Sequence, residues 1–403
     1  MQHIIHFYIL DFSKGDGKKM SLKKKSYKKS YCTIIIFCIL IFGLTLTTFI
    51  VPSQIFSENE NRMLAQKPEI RADNVLNGEF AIDYEDYLTD QFVLRNQWIT
   101  LKTSVEKILM KKESKDIYFA DDDYLIEKHT GSFTSDLAKK NIKILKEFID
   151  SYEQQFGKDH MSVMIVPNAV DILQDKLPPY ASPYNEKDYL DEIAKSLPDN
   201  IFVDTSLILQ KHNDEELYYR TDHHWKTQAA FYAYQQWAKQ YKLTVPEISD
   251  YEIKTVTNCF EGTIQSKLGI KTVNDTIELF LPKKRMSYTI YEKDSNEIKN
   301  SFYDYAALDI KDKYSIYFGG NHSFLSIQTE LDNHRKILVI KDSYANCFIP
   351  FMAGEFQQID VLDIRYSNQK LSQLIDSGQY TDLLILYNAS GFAEDMTITK
   401  LMN

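Results

Sequence analysis

The sequence has little of the residues that mark unstructured or cross-linked chains. Its 403 residues include only 13 Gly and 10 Pro and contain no internal repeat, which excludes collagen-like, low-complexity and repeat architectures. Four cysteines are too few for a disulfide framework. Cys32 and Cys38 lie in an apolar segment. We predict that the other two, Cys259 and Cys347, are separate free thiols, with Cys347 packed as a small apolar group.

Negative charge outweighs positive charge outside the N-terminus. Residues 1–30 carry eight Lys and two Asp, a balance of +6. Because the whole chain carries −10, the residues that follow hold −16. Nucleic-acid binding requires a basic surface, so this acidic majority argues against a nucleic-acid partner.

One long uncharged run follows the basic segment. Residues 31–51 are 21 residues without charge, and about 20 apolar residues span a bilayer, so we predict one transmembrane helix. Five lysines between positions 23 and 29 predict that residues 1–30 are cytoplasmic and that the main domain lies outside. A cleaved signal peptide is the alternative, disfavoured because residues 50–53 lack a small-x-small cleavage site. Translation could start at Met1 or at Met20.

The remaining residues predict a tether with a helical segment at 52–115 and an α/β domain at 116–403. Residues 250–335, rich in Tyr, Thr and Ser, are expected to be an insertion of strands and loops. The alternation of strands and helices elsewhere predicts a mainly parallel sheet flanked by helices, with its site at the carboxyl ends of the strands. The predicted strands are 162–166, 201–204, 337–340, 359–364 and 383–387, with a hairpin at 117–119 and 124–126. The predicted helices are 78–112, 137–156, 186–196, 226–241, 344–353 and 369–377.

The block Asp222-His223-His224-Trp225 places one carboxylate and two imidazoles where a polar loop leads into the helix predicted from residue 226. A carboxylate that fixes an imidazole tautomer produces a charge-oriented base. A polar loop that only caps the helix is the simpler alternative. We expect no metal here, because adjacent histidines seldom share one ion and no further ligand cluster appears.

A second block, Lys341-Asp342-Ser343, ends a strand of apolar residues and precedes a predicted helix. A strand-turn-helix displays a serine hydroxyl at the edge of a sheet, and the amides of the helix start favour an anion there. A serine that only caps the helix is equally consistent. Asn388, at the end of the last strand, and Asn321, after a Gly-Gly pair, are candidate amide donors, although turns explain them more simply.

With these residues in view, the chain resembles the DHHW family, named for residues 222–225. It is also similar to the SGNH-hydrolase-like domain of the alginate O-acetylation proteins AlgX and AlgJ. The block with Ser343 departs from the usual SGNH pattern, because Lys341 replaces a glycine. The resemblance is carried by Ser57-Glu58-Asn59-Glu60-Asn61-Arg62, by Asp90-Gln91-Phe92 with Arg95, and by the blocks 221–225 and 341–346.

Carried over by position, the resemblance implies that Asp222 orients His224, that His224 is the base and that Ser343 is the nucleophile. His223 falls at a variable position. The family implies O-acetylation of an envelope polysaccharide or exopolysaccharide, without a cofactor, beside a membrane-bound O-acyltransferase that supplies the acyl group.

The sequence therefore predicts a membrane-anchored, extracytoplasmic O-acetyltransferase that works through an acyl ester on Ser343. The amide of Ser343 and the side chain of Asn388 would stabilise the oxyanion, and His223, Trp225 and Asn321 would support the site or the substrate. Two alternatives stay open. One is a carbohydrate acetyl esterase of the same fold. The other is a non-catalytic polysaccharide-binding or assembly protein, in which the serine is a cap and the histidines form a structural bridge.

Overall fold

The structure, a computed structural model, describes residues 28–57, 60 and 62–403. The predicted cytoplasmic segment therefore lies outside the described residues except at its last three positions, and so do Glu58, Asn59 and Asn61. The chain divides into two compact units. One runs to Ser53 and includes Gln91–Val93, and the other comprises Gln54–Asp90 and Leu94–Asn403.

The first unit is dominated by one helix, α1 (Lys28–Ile50). Its stretch Tyr31–Ile50 has a mean hydropathy of 2.6, and none of it is buried by protein. A helix of this length and composition is long enough to cross a bilayer, although a signal sequence has the same character. The predicted apolar N-terminal helix is therefore present.

The second unit begins with short helices and strands. The helical segment predicted at 78–112 is interrupted, because Leu94 adopts a left-handed conformation with φ of 60°. The predicted hairpin is confirmed by an antiparallel strand pair. The elements are β1 (Phe56–Ser57), β2 (Arg62–Met63), α2 (Ala72–Leu76), α3 (Glu79–Asp90), α4 (Arg95–Ile108), β3 (Glu113–Ser114), β4 (Ile117–Phe119) and β5 (Leu125–Glu127).

The α/β part of the chain follows, with helices and strands in alternation at both of its ends. Its first half contains α5 (Asp136–Phe156), β6 (Met161–Val166), α6 (Ala169–Ile172), α7 (Glu186–Ser196), α8 (Ser206–Lys211), α9 (Thr227–Gln240), β7 (Tyr251–Phe260) and α10 (Thr263–Leu268). Its second half contains β8 (Asp275–Pro282), β9 (Tyr288–Glu292), β10 (Glu297–Lys299), β11 (Phe324–Thr329), β12 (Lys336–Lys341), β13 (Gln358–Leu362), α11 (Leu371–Gly378), β14 (Asp382–Asn388) and α12 (Ala389–Glu394).

The central sheet has seven strands in the order β10-β9-β11-β13-β12-β14-β6. The four strands from β13 to β6 are parallel. Strands β11, β9 and β10 are antiparallel to their neighbours. The sheet is therefore mixed rather than mainly parallel as predicted. The sheet becomes mixed where β11 pairs antiparallel with β13, and the β9–β10 hairpin extends the antiparallel part, because short connections join only antiparallel strands.

Two hydrophobic cores cover the two faces of this sheet, and β12 shows why its sequence is apolar throughout. Ile337 and Val339 pack in the core that contains α9. Leu338 and Ile340 pack in the core that contains α5. Side chains alternate across a strand, so a strand buried on both faces needs an unbroken apolar run. The same pattern in β14 makes these two central strands a rigid base for the residues at their carboxyl ends.

Two predicted elements are wrong. Residues 201–204 form no strand beyond a single bridge between Val163 and Phe202. Residues 344–353 form two short 3₁₀ turns, Ser343–Cys347 and Ile349–Gly354, instead of one α-helix. Pro350 accounts for the second difference, because proline has no N–H and its ring clashes with the carbonyl of the residue four positions earlier.

The predicted thiol state is confirmed. Cys259 is exposed, Cys347 is buried, and both are free. Burial raises the pKa of the Cys347 thiol to about 12, so it stays protonated and packs as an apolar group.

Candidate active site

Ser343 lies directly after β12, in a turn that another residue holds. Asp342 caps the turn, since its carboxylate accepts from the N–H of Tyr344 at 2.8 Å. The same carboxylate accepts from the N–H and the side-chain amide of Asn388 at 2.8 and 2.7 Å. The interpretation in which Ser343 caps a helix is therefore wrong. With Asp342 as the cap, the half-buried hydroxyl of Ser343 is available for other contacts.

The structure brings together Asp222, His224 and Ser343. His224 Nε2 lies 2.8 Å from the Ser343 hydroxyl, although the two residues are 119 positions apart in the chain. On the other side of the ring, His224 Nδ1 lies 2.6 Å from Asp222 Oδ1. Asp222 and His224 are buried, at 3% and 6% exposure. The three residues that the resemblance implied as orienter, base and nucleophile thus form one hydrogen-bonded series.

The Asp222 carboxylate is satisfied by four donors. One oxygen accepts from the ring and from the backbone N–H of His224, the latter at 3.1 Å. The other accepts from the N–H and the hydroxyl of Thr263 at 2.8 and 2.9 Å. Burial raises the pKa of Asp222, but the neighbouring histidines and these hydrogen bonds outweigh it and hold the pKa well below its usual range. Asp222 is therefore ionised at neutral pH.

His224 is neutral at the same pH. Burial, with His223 nearby, lowers the pKa of His224 to about 4 despite the opposing effect of Asp222. A carboxylate can only accept, so the ring proton lies on Nδ1, facing Asp222. Nε2 then offers its lone pair to the hydroxyl of Ser343. A serine in this setting can be deprotonated as it attacks a carbonyl carbon.

Tyr314 fixes the plane of the His224 ring. Its own ring stacks on the imidazole with centroids 3.8 Å apart and planes 15° apart. Its hydroxyl donates to the carbonyl of Ser343 at 3.2 Å. One buried side chain therefore restrains both partners of the Nε2–hydroxyl contact.

Trp225 serves as a structural tie between the two blocks. It is completely buried, and its indole N–H donates to the carbonyl of Tyr344 at 2.9 Å. In return, the hydroxyl of Tyr344 donates to the carbonyl of His223 at 2.6 Å. Trp225 therefore supports the site by connecting the two blocks, and because it is fully buried it cannot contact a substrate.

His223 points elsewhere. Its Nδ1 lies 3.0 Å from the hydroxyl of Thr263, and 38% of its side chain is exposed. Asp222, His223 and His224 each offer one atom that could coordinate a metal ion, and these atoms lie within 4.8 Å of one another. Both ring nitrogens of His224 are already hydrogen-bonded, to Asp222 and Ser343, so a metal would have to break one of these contacts.

The two predicted amide donors lie in the framework beneath the serine turn. Asn388 holds Asp342, and its oxygen accepts from the N–H of Gly391 at 2.7 Å, which caps α12. The oxygen of Asn321 accepts from Lys341 Nζ at 3.2 Å. These contacts give both amides a supporting role, and the oxyanion role expected for Asn388 stays a prediction.

Sequence reasoning missed Gly262, Thr263, Tyr314 and Asp342. Of these, only Asp342 carried a local signal, because an aspartate just before a turn is a frequent cap. Gly262 matters through its size. A Cβ at this position would lie 2.4 Å from both the Asp222 Cβ and the Thr221 carbonyl oxygen, and its N–H donates to the Thr221 hydroxyl at 2.9 Å.

The family described as DHHW protein matches residues 116–362. A DHHW family protein from Eubacterium siraeum is 24% identical, and the match covers 72% of this chain and 96% of that chain with a TM-score of 0.58. A structure of Bacillus cereus PatB1 with a sulfonyl adduct is 20% identical, covering 70% and 98% of the two chains, with a TM-score of 0.58. At these identities the likeness shows a shared fold.

A more distant similarity involves the O-acetyltransferase domain of Pseudomonas putida AlgJ. It is 11% identical and covers 71% of this chain and 98% of that one, with a TM-score of 0.42, too low to bear on fold or activity. No curated protein matches the chain. The predicted resemblance to the DHHW family is confirmed by the family match.

We predict that Gly262→Ala destabilises the second unit by about 1–3 kcal/mol, because the added methyl group forces the Asp222 loop away from α10. Denaturant unfolding of the purified full chain measures this. Gly354→Ala is the matched control, since its Cβ would meet only the Cε of Met286, at 3.8 Å. Equal stability of the two variants would contradict the close approach of Gly262 to Asp222.

Proposed function

Because the chain belongs to the DHHW family, we propose that it is an extracytoplasmic O-acyltransferase that moves an acetyl group to a hydroxyl of a cell-envelope polysaccharide or exopolysaccharide. The observation that carries the proposal is the series of Asp222, His224 and Ser343, joined at 2.6 and 2.8 Å. A serine paired with an oriented imidazole is suited to acyl transfer through an ester. We further propose that the four parallel strands form an SGNH-hydrolase-like variant of the α/β fold.

In the first half of the reaction, the Ser343 hydroxyl attacks the carbonyl carbon of the acyl donor. His224 Nε2 takes the hydroxyl proton, and Asp222 stabilises the imidazolium ion. The bond to the leaving group then breaks, and His224 returns the proton to that group. The products are an acetyl ester on Ser343 and a neutral His224.

In the second half, a sugar hydroxyl replaces the leaving group. His224 removes its proton while the oxygen attacks the ester carbonyl, and the proton then passes to the departing Ser343 oxygen. Water in place of the sugar would give an acetyl esterase. The two activities therefore differ only in the acceptor that His224 deprotonates, a sugar hydroxyl or water. Detection of acetylated sugar as a product identifies the transferase.

The backbone N–H of Ser343 is the proposed oxyanion donor. Within residues 28–57, 60 and 62–403, no backbone carbonyl accepts a hydrogen bond from it. A donor already fixed next to the nucleophile stabilises negative charge without reorganisation. Asn388 acts as a positioning residue, because it holds Asp342 and thereby the turn of Ser343.

The membrane-bound partner and the location are part of the proposal. α1 would anchor the protein, with the second unit outside the cell membrane. A membrane-bound O-acyltransferase would deliver the acyl group to Ser343, and the polysaccharide would be the acceptor. The apolar character and length of residues Tyr31–Ile50 support the anchor.

We predict that protease added to intact protoplasts removes the second unit and leaves α1 with the membrane, because the lysines before the helix favour a cytoplasmic N-terminus. Immunoblotting with antibodies to the C-terminus measures the loss. A cytoplasmic protein that survives the same treatment is the control. Protection of the second unit would exclude an extracytoplasmic role.

We predict that Ser343→Ala, His224→Ala and Asp222→Asn each lower turnover of a chromogenic acetyl ester by on the order of 10³–10⁴-fold. The variants should stay folded and their effects should be non-additive, because the three groups act as one unit. His223→Ala is the matched control and should retain most activity, since its ring bonds to Thr263 and, among the described residues, His224 is the histidine that contacts Ser343. Circular dichroism checks folding.

A sulfonyl fluoride adds a second measurement. Such electrophiles react with activated nucleophiles, and the Bacillus cereus PatB1 structure contains a sulfonyl adduct. Mass spectrometry should locate the label on Ser343 in the parent and in His223→Ala, with none in His224→Ala. If the parent neither turns over the ester nor takes the label, the chain is a binding or assembly protein.

We predict that kcat/KM for the ester persists as pH falls from 7 to 5 and is lost only near pH 4. The reason is that catalysis needs neutral His224, whose pKa is about 4, whereas an ordinary histidine would be protonated near pH 6.5. A pH–rate profile measures the acid limb, and circular dichroism at each pH separates it from unfolding. A limb near pH 6.5 would show that His224 is more solvated than in the structure.

A further inference from the structure

A cavity of about 390 Å³ adjoins the catalytic pair. It is lined by His223 and Thr263, the two neighbours of the Asp222–His224 contact. The rings of His223 and His224 have centroids 4.0 Å apart, so a molecule in the cavity lies one side chain away from the proposed base. The cavity is therefore close enough to hold part of a substrate whose reacting group reaches Ser343.

The charge of the lining is opposite to that of the chain. Residues after position 30 carry −16 in total. The charged lining residues comprise four cations and only two carboxylates, namely Arg62, Arg95, Lys115, Lys267, Glu60 and Glu127. A positive concave surface on an acidic protein attracts anions locally, because low-dielectric walls focus the field.

Two of the cations are arginines that carboxylates already hold in place. Arg62 contacts Glu60 at 2.8 Å and Asp90 at 2.5 Å. Arg95 contacts Glu60 at 3.0 Å and Asp90 at 3.5 Å. Glu60 and Asp90 thus neutralise the two guanidinium groups and hold them in place. The arginines therefore have a structural role in the cavity wall.

Lys115 differs from the other cations. Lys267 pairs with Glu127 at 3.1 Å, whereas the ammonium of Lys115 donates only to the carbonyl of Lys267, at 3.0 Å. In the described part of the chain, no carboxylate oxygen lies within 4.0 Å of it. Lys115 is half-buried, and burial lowers its pKa. Glu60 acts on Lys115 electrostatically without contacting it. A cation partly removed from water without a carboxylate in contact costs stability, and an anion in the cavity would offset that cost.

The backbone at Lys115 is also strained. Lys115 and Asp116 form the two-residue turn between β3 and β4, with φ of 50° and 58°. Positive φ at both turn positions is the type I′ geometry, which asparagine and glycine adopt readily and lysine does not. Strain of this kind is often retained at functional sites. Here it accompanies the one unpaired ammonium of the charged lining.

We propose that this cavity binds an anionic group, a carboxylate or a phosphate, carried by the acceptor saccharide, with Lys115 as its main charge partner. The role of this saccharide as acyl acceptor rests on the proposed function, whereas binding of its anionic group does not require turnover. Anchoring one charged unit here would hold a neighbouring sugar hydroxyl near His224. The acceptor would then be an acidic polymer.

Direct binding tests the proposal. The full chain with Ser343→Ala, purified in detergent, is titrated by calorimetry with three oligomers of matched length. These are an oligogalacturonate, an oligomeric glycerol phosphate and a neutral cello-oligosaccharide. We expect one charged oligomer to bind at least tenfold more tightly than the neutral one, and the stronger of the two identifies the anion. Equal affinity for all three, or none for any, overturns the proposal.

Lys115→Asn separates binding from structure. Asparagine suits the left-handed turn, so the variant should melt at a higher temperature than the parent while binding the anion at least tenfold more weakly. Lys112→Gln, at an exposed position three residues earlier, is the matched control and should change neither quantity. A Lys115→Asn variant that keeps its affinity, or that melts at a lower temperature, overturns the proposal, since the lysine would then be dispensable or structural.

The two proposals fail independently. If the parent turns over the acetyl ester but no anion binds, only the anionic acceptor is excluded. If an anion binds through Lys115 but the parent shows no turnover, the cavity is a binding site and acyl transfer is excluded.

Discussion

The buried Asp222 carboxylate is the constraint on which the rest of the site depends. A carboxylate at 3% exposure is stable only if every lone pair is used, and here four hydrogen bonds from His224 and Thr263 use them. Those donors fix the ring of His224, and the ring fixes the contact with Ser343. Thr263 can reach Asp222 only because Gly262 has no side chain. The packing of one glycine thus sets the geometry of the proposed base.

A second polar framework holds the nucleophile from below. Paired strands place Ile340 opposite Leu362, so the next residues, Lys341 at the end of β12 and Asp363 just after β13, are neighbours. Lys341 Nζ lies 3.6 Å from the Asp363 carboxylate and 2.7 Å from the oxygen of Asn346. The lysine that replaces the usual glycine is therefore buried and connects the serine turn to the residue that follows β13. Removing one partner of such a buried pair is costly, which makes this part of the site rigid.

The sequence predicted what depends on local pattern and on residue chemistry. The apolar run of β12 identified a doubly buried strand, and helical periodicity identified α5, α7 and α9 to within one or two residues. Residue chemistry made the blocks around residues 222–225 and 341–343 candidates for an oriented base and a nucleophile, and the family resemblance implied the roles of Asp222, His224 and Ser343. The mixed sheet was missed because β11 pairs with β13, a contact between distant segments that no local pattern encodes. The contact of Asn388 with Asp342 was missed for the same reason, since the two residues are 46 positions apart.

The long separation of Ser343 and His224 along the chain affects the reactivity of Ser343 in the unfolded protein. The two residues lie 119 positions apart, and hydrogen bonds from Trp225, Tyr314 and Tyr344 hold their surroundings together in the folded protein. An unfolded chain therefore contains a serine with the reactivity of any other. Closing a loop of this length carries an entropic cost, which the packing of the intervening sheet and helices must offset. In the proposed mechanism, the nucleophilicity of Ser343 is therefore a property of the completed fold, and the unfolded chain lacks it.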